Sequence, residues 1–299
     1  MTIECGVVVA LVAAAFWYGR FASLNALTPP DYHYLTPAVA VAVGKGFNAP
    51  HPIEGSPLAE FIAGRAPSVT WAEASAMDVG PPDQFHQSAR YLINVVGYWW
   101  RIRGLSWAGI ADVAGGLHVM AVLGSYFLLR LCVPLPLALL GALWMCTSTL
   151  QLALVPHVRD YSKGAFMYGV LPLVVMLALH QMSKRRLLTV AAAAGALIGL
   201  SLGFKMDVAI MAPLAVACIV VFRGARPWAG LADKTQAIAV LAAALAIAAG
   251  PVLYRLSSNG SNAVHVVLLG YTEAFDTNLG IAGSAYSFLP FYSDEYVVR

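Results

Sequence analysis

Apolar residues run almost unbroken over seven stretches of the chain, near 3–27, 105–131, 133–155, 164–182, 187–204, 207–222 and 236–255. A helix needs roughly 17 to 25 such residues to cross the hydrocarbon of a bilayer, so each stretch predicts one span. Between the first and second stretches the pattern changes. From Tyr32 to Val43 apolar positions recur at helical spacing and stop at Gly44-Lys45-Gly46. From about Phe85 to Arg103 a second amphipathic helix carries Tyr91, Val95, Tyr98 and Trp99 on one face, with Arg90, Arg101 and Arg103 near its ends. Both predict helices lying along the membrane surface, where aromatic and basic side chains suit the headgroup layer. Asn48 to Pro82 is rich in Pro, Gly, Ser and Ala and predicts an irregular loop.

Composition agrees. The 299 residues are 60% hydrophobic and only 11% charged, too apolar for a water-soluble domain and too long for a simple anchor. The expected fold is an all-α integral membrane protein of about seven transmembrane helices. A seven-span module fills 1–255, including the outer loop 28–104, and an outer segment follows at 256–299. Cys5, Cys132, Cys146 and Cys218 all sit in apolar runs without metal-ligand spacing and read as small core hydrophobes. The net charge of +3 is small and dispersed, which sets nucleic acid aside.

Charge also predicts orientation. With the N-terminus in the cytoplasm, the inner loops hold Arg130, Lys184, Arg185, Arg186, Arg223, Arg226 and Lys234 against Glu4 and Asp233. Short basic loops face the cytoplasm. The remaining acids then lie on the outer side, so the polar chemistry is expected there, periplasmic or extracellular, in a bacterial inner membrane. Met1-Thr2-Ile3-Glu4 offers no basic residue before the first run, which predicts a retained first helix and no cleaved signal.

Three places concentrate chemistry. Asp31, in Pro29-Pro30-Asp31-Tyr32, stands where the chain leaves its first span; it is placed to cap a helix, to face a site, or both. The short outer loop Pro156-His157-Val158-Arg159-Asp160-Tyr161-Ser162-Lys163 packs cations, an anion, a histidine and a tyrosine between two spans. It reads either as a site or as a collar in which Arg159 and Asp160 pair. Lys205 ends one span and Asp207 starts the next, either a local ion pair or a phosphate-holding cation. Arg20 is expected to snorkel or to pair with an outer carboxylate, and Asp112 and His118, inside the second span, to have structural partners. Tyr271-Thr272-Glu273-Ala274-Phe275-Asp276 mixes acids with aromatics, as sugar-binding surfaces do.

In this order the motifs resemble the polyprenyl-phosphate-sugar-dependent glycosyltransferases of the GT-C class, which include protein O-mannosyltransferases and the aminoarabinose transferase of lipid A. Pro30-Asp31-Tyr32-His33-Tyr34 with Ala40, Ala42, Gly44, Lys45, Gly46 and Phe47 looks like the acidic motif that opens the family's first outer loop. The turn at Arg159 and Asp160 and the span end from Gly199 to Lys205 look similar too. The chain has one acid where the family usually has a pair. It stops at Arg299, where family members usually continue through further spans, so the chain reads as a fragment truncated in 256–299, a minimal form or half of a split enzyme.

The resemblance implies a membrane glycosyltransferase. A sugar on a polyprenyl phosphate would be transferred, with inversion, to an acceptor hydroxyl on protein, lipid or glycan. Asp31 would be the base and Asp160 a second catalytic acid, placed to bind a divalent cation (magnesium or manganese) or to orient a cation. Lys205, Arg159 and Lys163 would hold the donor phosphate, and Tyr32, Tyr34, Tyr161, Glu273 and Asp276 would bind substrate. Two other expectations stand beside it: a transporter or flippase of an anionic or lipid-linked substrate, and an inactive truncated family member.

Overall fold

The computed structural model describes residues 2–26, 32–179, 182–222 and 230–258. The chain divides after Val252, and the account below concerns the part before that point. Helix α1 (Thr2–Leu24) is followed by a polar-ended subregion. That subregion holds a 3-10 turn (Tyr32–Leu35), α2 (Pro37–Ala42), β1 (Ala49–His51), α3 (Pro57–Ile62), α4 (Trp71–Ser75), β2 (Asp78–Gly80), α5 (Gln84–Ser88) and α6 (Arg90–Arg103). The bundle then continues with α7 (Ile110–Arg130), α8 (Leu135–Thr147), α9 (Thr149–Leu154), α10 (Val158–Leu179), α11 (Lys184–Ser201), α12 (Met211–Phe222) and α13 (Leu231–Ser258).

Four helices, α1, α7, α10 and α13, are long and apolar enough to cross a membrane. The 23 residues of α1 reach about 34 Å at 1.5 Å per residue, enough for a hydrocarbon layer of about 30 Å. The other three predicted spans form shorter rods. The run near 133–155 breaks at Ser148, whose ψ of 122° ends α8 and starts α9. The run near 207–222 opens as a 3-10 turn and leaves 12 residues for α12. Helix α11 spends its first turn on Lys184, Arg185 and Arg186.

Glycines and ion pairs fix how the rods pass one another. Helices α1 and α7 are antiparallel, tied by Arg130 Nε to Glu4 Oε1 at 2.9 Å at one end and by Arg20 Nε to Asp112 Oδ1 at 2.7 Å at the other. Midway, Gly115 lets the backbone of α7 lie against the Phe16 carbonyl, where a Cβ would collide. Helix α10 runs parallel to α7, with Gly124 against the Tyr168 carbonyl. Pro172 has no N–H for that carbonyl, four residues back, so the freed acceptor fits into the space a side chain would need. Helix α13 meets α11 the same way, through Gly195 at the Leu241 carbonyl and Gly199 at the Leu245 carbonyl.

The subregion between α1 and α7 departs from the sequence expectation. Pro37 interrupts the helix expected over Tyr32 to Val43, since it lacks an amide donor and suits only a first turn, leaving a 3-10 turn and six-residue α2. All six residues of α2 are buried, so α2 is a core element and not a surface helix. Gly97 of α6 allows this, because a Cβ there would strike Val41 and the Ala38 carbonyl. Helix α6 is amphipathic: Leu92, Ile93, Val96 and Trp100 face inward, while Val95, Tyr98 and Ile102 are exposed. The stretch expected to be irregular contains α3, α4 and an antiparallel pair in which His51 faces Asp78. Phe61 stacks on Trp107 at 4.7 Å, with the Trp107 indole N–H donated to the Phe61 carbonyl at 2.8 Å.

Candidate functional site

The end of the bundle that carries Arg20 and Asp112 also carries the first turn of α10 and the turn joining α11 to α12. There the chain places three cations and two acids from two separate segments side by side. Asp160 sits in the first turn of α10, where the helix dipole favours an anion. Lys205 extends from the start of the 3-10 turn Met206–Ile210 and donates to Asp160 Oδ1 at 2.5 Å. Lys163, one turn along from Arg159 on α10, pairs with Asp207 Oδ2 at 3.2 Å. The pairing is crossed: each segment contributes one cation and one acid, and each cation reaches the other segment's acid. The two local pairs considered from sequence, Arg159 with Asp160 and Lys205 with Asp207, give way to this arrangement because two backbone segments face each other.

Arg159 turns to the subregion before α7. Its guanidinium carbon lies 4.6 Å from the centre of the Tyr34 ring, and Nη2 donates to Ser88 Oγ at 3.4 Å. Close by in sequence, Arg90 lies 4.3 Å over the Phe47 ring and donates to Gln87 Oε1 at 3.0 Å. A clamp fixes this subregion to the bundle. The Tyr91 and Leu92 amides both donate to the Gly203 carbonyl at 2.9 and 3.2 Å, and the Tyr91 hydroxyl donates to the Ala248 carbonyl at 2.6 Å. Gly203 permits this because a Cβ there would run into the Tyr91 ring. Burial pushes the Tyr91 phenol above its ordinary value, which keeps it a donor at any working pH.

The five charged groups sum to +1, with Asp160 63% exposed and Lys205 21% exposed at their side chains. A phosphate arriving here would add to the network or displace a carboxylate from its lysine. At Asp160 the carboxylate faces an ammonium group. Its near partner is Lys205, and among the described residues no group of three or more His, Cys, Asp or Glu side chains is placed to hold a metal.

Of the residues expected to form the site, Asp160, Lys205, Arg159, Lys163 and Tyr34 are brought together. Tyr161 is not. It is 4% exposed and turned into the bundle, where its hydroxyl lies 2.6 Å from His118 Nδ1. A helix sends successive residues about 100° apart, so Asp160 outward puts Tyr161 inward. Asp31, Glu273 and Asp276 lie outside the described residues, as does the side chain of Tyr32. Ser88, Gln87 and Tyr91 were not singled out as site neighbours. Nothing local in Gln84–Ser88 marks it, since its role comes from a partner about 70 residues away.

Of the two fates expected of Arg20, snorkelling or pairing, it takes the second, with Asp112, which also accepts from the Trp99 indole at 3.1 Å. His118 has the structural partners expected of it, Tyr161 and the Cys146 carbonyl at 3.0 Å. Compared with protein-family models, with curated proteins and with solved structures, the chain matches none.

Proposed function

We propose that this chain is a membrane glycosyltransferase of the GT-C kind, with seven helical passes and its site at the Arg159 end of the bundle, on the outer face. One observation supports the reading above others: Arg159, Lys163 and Lys205 converge where the 3-10 turn that directly follows Asp31 packs, with Tyr34 against Arg159. A leaving lipid phosphate needs clustered cations, and an attacking hydroxyl needs a base beside them. Orientation is supported by the opposite end, where Arg130, Lys184, Arg185, Arg186 and Lys234 outnumber Glu4 and Asp233.

In the proposed reaction the acceptor hydroxyl passes its proton to the Asp31 carboxylate as its oxygen attacks the anomeric carbon. The bond from that carbon to the phosphate oxygen breaks, the electron pair leaves with the polyprenyl phosphate, and the sugar inverts. Lys205 and Lys163 balance the growing phosphate charge, released in part from Asp160 and Asp207, while Arg159 is positioned by Tyr34 and Ser88.

The test uses the full chain in proteoliposomes with radiolabelled polyprenyl-phosphate sugars and a panel of hydroxyl acceptors. Transfer is expected, with Asp31→Asn and Lys205→Met each lowering kcat/KM by about 100-fold. Transfer by Asp31→Asn at the wild-type rate would remove Asp31 as the base. Movement of labelled substrate across sealed vesicles, with no new covalent product, would replace the reading with a transporter.

A further inference from the structure

Helices α7 and α10 leave an open groove of about 570 Å³ between them, away from the charged site. We propose that it holds one acyl chain of an anionic glycerophospholipid, with the phosphate at Arg130. The volume falls in the range of ordinary small-molecule sites, about 300 to 1,000 Å³.

Its walls are apolar along their length, with Met120 and Leu123 from α7 and Leu173 and Met176 from α10. Gly116 forms part of the floor, and a Cβ there would meet nothing within 4 Å. From Gly116 to Arg130 the groove follows α7 for about 21 Å at 1.5 Å per residue, deeper than half of a hydrocarbon layer of about 30 Å. A whole chain entering from one leaflet therefore fits.

The groove has one charged lining residue, and it lies at an end. Arg130, in the last turn of α7, uses Nε on Glu4 at 2.9 Å and Nη1 on the Val133 carbonyl at 3.2 Å. A guanidinium has five N–H donors, so it is able to hold these partners and bind phosphate oxygens as well. The surroundings favour an anionic headgroup over a zwitterionic one. At this end of the bundle Arg185 and Arg186 join Arg130, beside Lys184, which pairs with Asp233 at 3.7 Å. The lipid-linked donor proposed above would have its phosphate at the opposite end, so the two sites are separate.

The experiment measures the unfolding midpoint of the full chain in neutral detergent with added phosphatidylglycerol or phosphatidylcholine. Phosphatidylglycerol is expected to raise the wild-type midpoint by about 5 °C at saturating lipid, and phosphatidylcholine by clearly less. Arg130→Met should lose the preference for phosphatidylglycerol. Glu4→Gln, which breaks the same ion pair but keeps the arginine, should retain it, and so separates lipid binding from the structural role of the pair. Gly116→Phe, which fills the floor, should abolish the shift with either lipid while preserving the helical circular dichroism. Equal shifts with both lipids in the wild type would overturn the proposal, as would a retained preference in Arg130→Met or an undiminished shift in Gly116→Phe.

Discussion

Replacing His118 tests how the bundle manages polar groups where water is absent. His118 is fully buried on α7 and bridges two other elements. A backbone carbonyl only accepts, so Nε2 carries the proton given to Cys146 O at 3.0 Å, and Nδ1 accepts the Tyr161 hydroxyl proton at 2.6 Å. The Cys146 carbonyl needs this donor because the turn at Ser148 removes the amide that a continuous helix would supply. His118→Leu strands both the carbonyl and the hydroxyl. At about 1–3 kcal/mol for each buried unsatisfied group, the loss is about 2–6 kcal/mol. Tyr161→Phe alone strands only Nδ1, at about 1–3 kcal/mol. Combined, the two substitutions leave only the carbonyl unpaired, so adding Tyr161→Phe to His118→Leu should return stability. Hydrogen-bond couplings in helical membrane bundles average about 0.6 kcal/mol and reach about 1.7, so the cost of Tyr161→Phe in the wild type should exceed its cost in His118→Leu by that much or more. Equilibrium unfolding of the four purified chains in mixed micelles, followed by helical circular dichroism, measures the cycle. If Tyr161→Phe costs the same in both backgrounds, the hydroxyl and the imidazole are not coupled and the assignment fails.

Further outcomes follow from other contacts. Gly124→Ala should destabilise the fold by about 1–3 kcal/mol, because its Cβ would meet the Tyr168 carbonyl. Gly116→Ala, facing open space on the same helix, should be neutral or stabilising by up to about 1 kcal/mol in the same unfolding assay. Arg20→Met should cost about 2 kcal/mol, between an exposed and a buried ion pair, since Asp112 is 12% exposed and keeps only the Trp99 donor; Arg20→Met with Asp112→Leu should recover part of that loss. Tyr161→Phe should lower stability while leaving sugar transfer unchanged, and a fall in transfer alone would return Tyr161 to the site. Glu73 caps α4 reciprocally with Thr70, and those hydrogen bonds hold its carboxyl below the ordinary value. Its folded value is thus lower than its unfolded one. The contribution is present at neutral pH and is lost as pH falls from about 4.3 through that lower value. Hydrogen exchange of α4, corrected for intrinsic rates, should show this loss in the wild type and not in Glu73→Gln.

The sequence alone determined that the chain is helical and membrane-suited, because long apolar runs have few other stable fates. It also located the charged turns, since Arg159, Asp160 and Lys205 interrupt apolar runs where little else is polar. It marked the end of α2 through Gly44 and Gly46, whose φ values of 83° and 75° suit glycine. It did not determine pairing or depth. Asp160 with Lys205 and Lys163 with Asp207 are contacts across 45 and 44 positions, invisible to any local pattern. The burial of α2 and of Tyr161 was likewise a tertiary matter: Val41 and Tyr161 are apolar or amphipathic on any reading, and only Gly97 and His118 on distant helices decide which way each faces. Hydropathy measures how much a segment resists water, and that is a property of the segment. Which surface a side chain meets depends on how closely two backbones approach, and here that distance is set by glycines far away in the chain.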